Sequence, residues 1–142
     1  MALNGPVYAR VTQEDQLELG FLVQQKNTNL NGTCHGAVLF SLLDSVMGAN
    51  ILYQLAPEYS VTTLNLSLNF LEAVRVEEFL IGRALIDGTS KSHIFVSGTL
   101  SNENQVVATA TGTFAKIRSI GGGIDFRALV KKALIANCDT KN

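Results

Sequence analysis

The chain is short of the features that announce several large protein classes. Its 142 residues hold two cysteines, Cys34 and Cys138, in no spacing typical of a disulfide framework or a zinc site. It has no surplus of positive charge. Eleven Lys and Arg stand against 12 Asp and Glu, a formal net charge of −1, which argues against a nucleic-acid binder with its basic face. A polyphosphate ligand needs only a few local cations and stays allowed. The opening stretch MALNGPVYARVTQEDQ has neither a charged n-region nor an apolar h-region, so no secretory signal is expected. The expected compartment is then the reducing cytoplasm. A nucleophile elbow of G-x-S-x-G type is missing, which removes the usual Ser-His-Asp hydrolase. No internal repeat appears.

What is present suits one domain, with 46% hydrophobic residues and enough length to bury a core. Residues 16–26, QLELGFLVQQK, read as a strand, followed by the polar loop NTNLNGTC. A helix is predicted from about Gly36 to Leu55, apolar nearly all round and closed by APEYS. It is long enough to cross a bilayer. Asp44, Asn50 and Gln54 interrupt it, however, and no basic flank follows. A charge at mid-membrane is expensive, so the expectation is a core helix and no membrane.

The cleanest signal is VTTLNLSLNFLEA, where Leu64, Leu66, Leu68 and Phe70 alternate with Thr63, Asn65, Ser67 and Asn69. Period two over this length predicts a strand with one buried face. Residues 77–86 predict another strand, ending in DGTSK, where Asp-Gly suits a hairpin turn. SHIFVSGTLS runs back, NENQ turns, and VVATATGTFAKI completes a meander. A strand, a long helix and four strands pack economically when the antiparallel sheet wraps the helix, giving an α+β domain over residues 1–118. Beyond it, residues 119–142 read as a Gly-rich joint, SIGGGIDF, and a short helix with Phe126, Leu129, Val130, Ala133 and Leu134 at helical spacing. That helix is expected to dock on the sheet or on a neighbouring subunit rather than on a membrane, and the final DTKN to be disordered.

Asp44 is the anomaly. A carboxylate inside the most apolar helix needs a partner or a task. Gly36 opens that helix, where N–H groups lack intrahelical acceptors and suit a carbonyl becoming an oxyanion. Asp44 lies eight residues beyond Gly36, about 12 Å along the axis at ~1.5 Å per residue. One acyl carbon cannot touch both in the same chain. Either the two are unrelated, or a two-fold dimer brings the aspartate of one copy to the glycine of the other.

TNLNGTCHGAVLFSLLDSVMGAN, followed by VTTLNLSLNF, resembles the hotdog-fold acyl-CoA thioesterases of the phenylacetate-degradation type, over about residues 16–118. The resemblance implies a helix wrapped by an antiparallel sheet, assembled as homodimers and often as homotetramers, dimers of dimers. It implies hydrolysis of an acyl- or aryl-acyl-CoA to the free acid and CoA, with no cofactor beyond the CoA of the substrate. On that resemblance Asp44 is the general base or nucleophile, and the Gly36 N–H polarises the thioester carbonyl. Asn29 and His35 stand beside the reacting centre, and Thr63 positions the carboxylate within the same subunit. Lys91 and Arg118 are the candidate contacts for the CoA phosphates. Many relatives carry a second glycine where this chain has Ala37, which would narrow the acyl pocket. That pocket is expected to be lined by apolar residues of the helix and of the LNLSLNF strand, while Leu43 and Met47 beside Asp44 fit an apolar acyl group and the core equally well.

Cys34 and His35 suggest a thiol nucleophile, but neighbouring residues tend to point apart. Cys34, His35 and a lone His93 are too few for zinc. A hotdog hydratase or dehydratase would use a different acid–histidine motif. A non-catalytic acyl-CoA-binding module would give Asp44 a purely structural partner such as Asn50 or Thr63.

Overall fold

The computed structural model describes residues 5–55, 59–118 and 125–139. The Gly-rich joint at 119–124, the helix-closing Ala-Pro-Glu at 56–58 and the tail from residue 140 lie outside the described residues. In chain order the elements are β1 (Val7–Val11), β2 (Leu17–Leu22), a 3-10 turn (Gln25–Asn27), α1 (Gly36–Gln54), β3 (Tyr59–Phe70), β4 (Phe79–Thr89), β5 (His93–Ser101), β6 (Val106–Arg118) and α2 (Phe126–Asp139). The strands form one antiparallel sheet in the order β1-β2-β4-β5-β6-β3. The sheet curves round α1, which gives the hotdog architecture.

Three details depart from the sequence reading. The sheet has a sixth strand, β1, which pairs with β2 from Val7↔Phe21 to Val11↔Leu17. As an edge strand of five residues it leaves its three middle positions exposed, so it carries almost no burial pattern. Next, β3 does not pair with β4. It crosses to the far edge and pairs with β6 along its whole length, from Tyr59↔Arg118 to Phe70↔Ala108. The segment from 71 to 78 is a connection across the end of the sheet and not a hairpin turn. Finally, Asp87-Gly88 is no turn. The β4–β5 register skips Asp87, and the tight turn falls at 90–92, where the Ser90 N–H donates to the His93 carbonyl at 2.8 Å.

A trough of small residues explains why α1 beds so deeply. Gly82, Gly98 and Gly112 sit on three successive strands, β4, β5 and β6. A Cβ at Gly82 would stand 2.3 Å from Val46 Cγ2, and one at Gly112 would stand 2.8 Å from Met47 Cε. The helix therefore rests on bare backbone, with Leu43, Val46, Met47 and Ile51 essentially sealed from water. Although α1 has the length and hydropathy of a bilayer span, Val38, Leu39, Leu42, Leu43, Val46, Met47 and Ile51 are spent on this core. The same packing gives Leu43 and Met47 to the core, one of the two readings open for them.

Within the chain the C-terminal helix packs beside α1 rather than on the sheet. Asp15, in the β1–β2 turn with a left-handed φ of 61°, accepts the Tyr53 hydroxyl at 2.6 Å and pairs with Arg127 of α2. Lys131 stands 3.7 Å from the same carboxylate. The Arg127 guanidinium lies 5.0 Å over the Tyr53 ring. One aspartate thus ties α2 to the C-terminal end of α1.

Candidate active site

The loop before α1 is built by its own asparagine. Asn29 Oδ1 accepts the Asn31 N–H at 2.9 Å and both the N–H and hydroxyl of Thr33 at 3.2 Å, an Asx turn. The Asn29 carbonyl oxygen is thereby committed to the loop, and its Nδ2 is the group it could present to a ligand. The His35 N–H donates to the Asn27 carbonyl and the Cys34 N–H to the Val74 carbonyl, which fix the approach to the helix. His35 is the N-cap, exposed and without a side-chain capping bond. The Val38 and Leu39 N–H groups reach back to its carbonyl. Gly36, the first helical residue, belongs to the turn whose donors have no acceptor inside the helix.

Gly36 opens on a cavity of about 360 Å³. Its walls include Leu39, Phe70, Leu71, Glu72 and Val74. The Phe70 ring leans over the helix start, so that a Cβ at Gly36 would stand 3.3 Å from its edge. The site thus has a donor beside a hollow of mixed polar and apolar lining, with the positive end of the helix dipole behind it. Ala37 is exposed and is not part of these walls.

Asp44 lies elsewhere on the same helix, half-buried, and accepts the Thr63 hydroxyl at 2.6 Å. A bulge makes this contact possible. Strict alternation would put Thr63 on the opposite face from Leu66 and Leu68. The β3–β6 register, however, runs Thr63↔Phe114 and then Asn65↔Thr113, skipping Leu64. The inserted residue reverses the parity. Thr63 therefore turns toward α1 on the same face as Leu66 and Leu68, which pack on the core, while Leu64 is pushed out and left 55% exposed. Asn50, the other structural partner considered for Asp44, instead gives its Nδ2 to the Val46 carbonyl at 2.9 Å.

The single chain thus brings Asp44 and Thr63 together, and it brings Gly36 to a cavity, but it does not join the two. Asp44 is not among the cavity's lining residues. Lys91, in the β4–β5 turn, and Arg118, at the end of β6, are exposed at the end of the sheet away from Gly36 and Phe70. Sequence reasoning missed a third cation there. Lys116 follows Phe114 on the same face of β6, opposite Val61 and two pairs beyond Thr63. Its ammonium donates to the Ser90 carbonyl at 2.8 Å and lies 5.8 Å over the Tyr59 ring. Its period-two spacing from Phe114 was the available signal.

Two rivals fall on this geometry. The Cys34 thiol is buried, and burial pushes its pKa up to about 11, so at neutral pH it is a packing thiol and not a nucleophile. His93 opens β5 beside Ala115 of β6, at the end of the sheet away from Cys34, so the two cannot share a zinc ion.

The arrangement is that of a hotdog domain with an acid–hydroxyl pair on the central helix and an open helix start. The chain belongs to the thioesterase superfamily. Residues 31–109 match the model of that family. A Pseudomonas aeruginosa protein assigned by name to the esterases, PA0474, is 30% identical over 112 residues, spanning 79% of this chain and 84% of that one. A solved Ralstonia eutropha JMP134 protein, described as a thioesterase related to phenylacetic acid degradation, is 30% identical over 77% of this chain and 83% of its own, with a TM-score of 0.70. The Streptococcus mutans protein smu.793, solved with acetyl CoA, superposes with a TM-score of 0.74 over 84% of this chain and 94% of its own. At 21% identity it shows the fold alone.

Proposed function

We propose that this enzyme hydrolyses an acyl-CoA thioester at a site shared between two copies of the chain. Asp44 of one copy, oriented by Thr63, takes a proton from water or attacks the acyl carbon itself. The Gly36 N–H of the other copy polarises the carbonyl. The observation that carries this reading is the Thr63–Asp44 hydrogen bond at 2.6 Å, standing about 12 Å along α1 from a donor it cannot reach within its own chain. General-base help is worth about 10²–10⁴ in rate and an oxyanion donor about 10²–10³, so the two together suffice for a thioester. The step draws on no metal or bound cofactor, since CoA enters and leaves as part of the substrate. Asn29 Nδ2 and His35 flank the carbonyl, while Lys91, Arg118 and Lys116 offer charge to the CoA phosphates.

The open edge of the sheet supports the dimer. The 12-residue β3 has β6 on one side only. Its surroundings expose Leu64, Phe70, Leu71 and Phe40. A long apolar edge of this kind invites a second strand. If two copies of β3 pair antiparallel about a two-fold between Leu66 and Ser67, Thr63 of one copy falls opposite Phe70 of the other. Asp44 is thereby carried to the Gly36 cavity. A second, back-to-back pairing of such dimers would make the tetramer.

The test is CoA release from a panel of acyl-CoA thioesters by the wild type and by Asp44→Asn, with fold and assembly checked for both. The expected result is turnover of at least one substrate by the wild type and a loss of about a hundredfold or more in kcat for the variant. Equal activity would make Asp44 structural. Binding without turnover by both would favour the acyl-CoA-binding module.

A further inference from the structure

The cavity at the start of α1 has one charged side chain in its wall. Leu39, Phe70, Leu71 and Val74 are apolar, Thr33 adds a hydroxyl, and Glu72, exposed at the rim, brings the charge. The N–H groups of Leu71 and Glu72 both donate to the Val107 carbonyl, at 2.8 and 3.3 Å. The chain is thereby pinned to β6 just where it leaves the edge strand, and Glu72 is held at the wall. Among the described residues no hydrogen bond or ion pair engages its carboxylate, and no cation lines the cavity. The nearest cation along the chain, Arg75, is bridged to Thr33 through its backbone and does not reach the lining.

We propose that Glu72 is a specificity-determining residue, and that the cavity accepts neutral, apolar acyl groups and turns away those ending in a second carboxylate. The proposal rests on the thioesterase reading above. A neutral tail gains by covering Leu39, Phe70 and Leu71. A carboxylate tail must shed its water against the same walls with nothing cationic to meet it. It also meets the like charge of Glu72, partly screened because that side chain is exposed. Both effects act in one direction, and only the second depends on Glu72.

Hexanoyl-CoA and adipoyl-CoA have the same chain length and differ in the terminal carboxylate, so their kcat/KM values isolate the tail charge. The wild type is expected to prefer hexanoyl-CoA. Glu72→Gln should lower that preference by about tenfold, the scale of one partly screened like-charge contact, with the larger change in the adipoyl-CoA value. Glu72→Lys should lower it further, and added salt should lower it in the wild type but not in Glu72→Gln. Equal rates for the two substrates in the wild type, or an unchanged ratio in Glu72→Gln, would overturn the proposal. An absence of turnover of every thioester by the wild type would instead overturn the thioesterase reading beneath it, a result the hexanoyl-CoA rate alone distinguishes.

Discussion

Replacing Gly36 by proline removes one backbone proton and almost nothing else. Proline is at home in the first helical position, where its missing N–H has no intrahelical acceptor. The residue before a proline must be extended, and His35 already sits at φ −57°, ψ 134°. The one steric cost is a Cβ placed 3.3 Å from the Phe70 ring edge, and Gly36→Ala incurs the same contact while keeping the N–H. Alanine is therefore the control. The ring Cδ of proline also stands where the proton stood, so the carbonyl loses both its donor and its seat. Both losses belong to that one N–H position. If that N–H polarises the thioester carbonyl, Gly36→Pro should fall below Gly36→Ala by about 10²–10³ in kcat, or roughly 2.7–4 kcal/mol of transition-state stabilisation. The two should melt within a few degrees of each other, since 1 kcal/mol moves Tm by about 2–8 °C in domains of this size. CoA release followed under saturating substrate, beside thermal unfolding, measures both. A Gly36→Pro variant that stays folded and within about threefold of Gly36→Ala would refute the assignment.

Other changes follow from the same geometry. Thr63→Val keeps the shape and removes the hydroxyl given to Asp44, so kcat should fall about tenfold or more, the worth of one hydrogen bond to a charged group. KM and Tm should hardly move at this exposed position, and an unchanged kcat would sink the positioning role. On the outer face of the sheet, Glu18 is buried between Arg10 and Arg83, which stand at 2.9 Å (Arg10 Nε) and 2.6 Å (Arg83 Nε) from its carboxylate. Burial pushes its pKa up, but the two guanidiniums outweigh burial and hold it below its ordinary value of 4.5. A lowered folded pKa means the stabilisation is present above about pH 4.5 and is lost as the pH falls through the folded value. Glu18→Gln should cost about 1–2 kcal/mol at pH 7, less than a fully buried pair because both arginines are about half exposed. Its Tm should also decline less than that of the wild type below pH 4.5, and parallel declines would contradict the pairing.

Much of this was legible because burial writes itself into sequence. The helix from Gly36, the β5 and β6 strands and their NENQ turn all carry strong periodic signals, and the structure places them at those residues. What escaped was set by pairing rather than by pattern. β1 shows no alternation because nothing covers its middle residues. The strand pattern of β3 names no partner, and only the curvature of the whole sheet decides that it closes on β6. The bulge at Leu64 is the sharpest case. Its alternating leucines predict Thr63 on the solvent face, and a single unpaired residue turns it toward Asp44. The Arg10–Glu18–Arg83 cluster draws its third member from β4, 65 residues beyond Glu18, and no local spacing announces it.

The central claim is that each site borrows from two copies of the chain, and mixing two inactive variants tests it most directly. Asp44→Asn lacks the carboxylate and Gly36→Pro lacks the donor, so neither homodimer should turn over substrate. Unfolding and refolding the two together in equal amounts should give hybrids as half of all dimers, each with one of its two sites intact. The account predicts recovery to about a quarter of wild-type kcat per chain in the mixture. A site confined to one chain leaves every site in every hybrid broken. Activity no greater than that of the separate variants, with hybrid dimers shown to be present, would contradict the shared site.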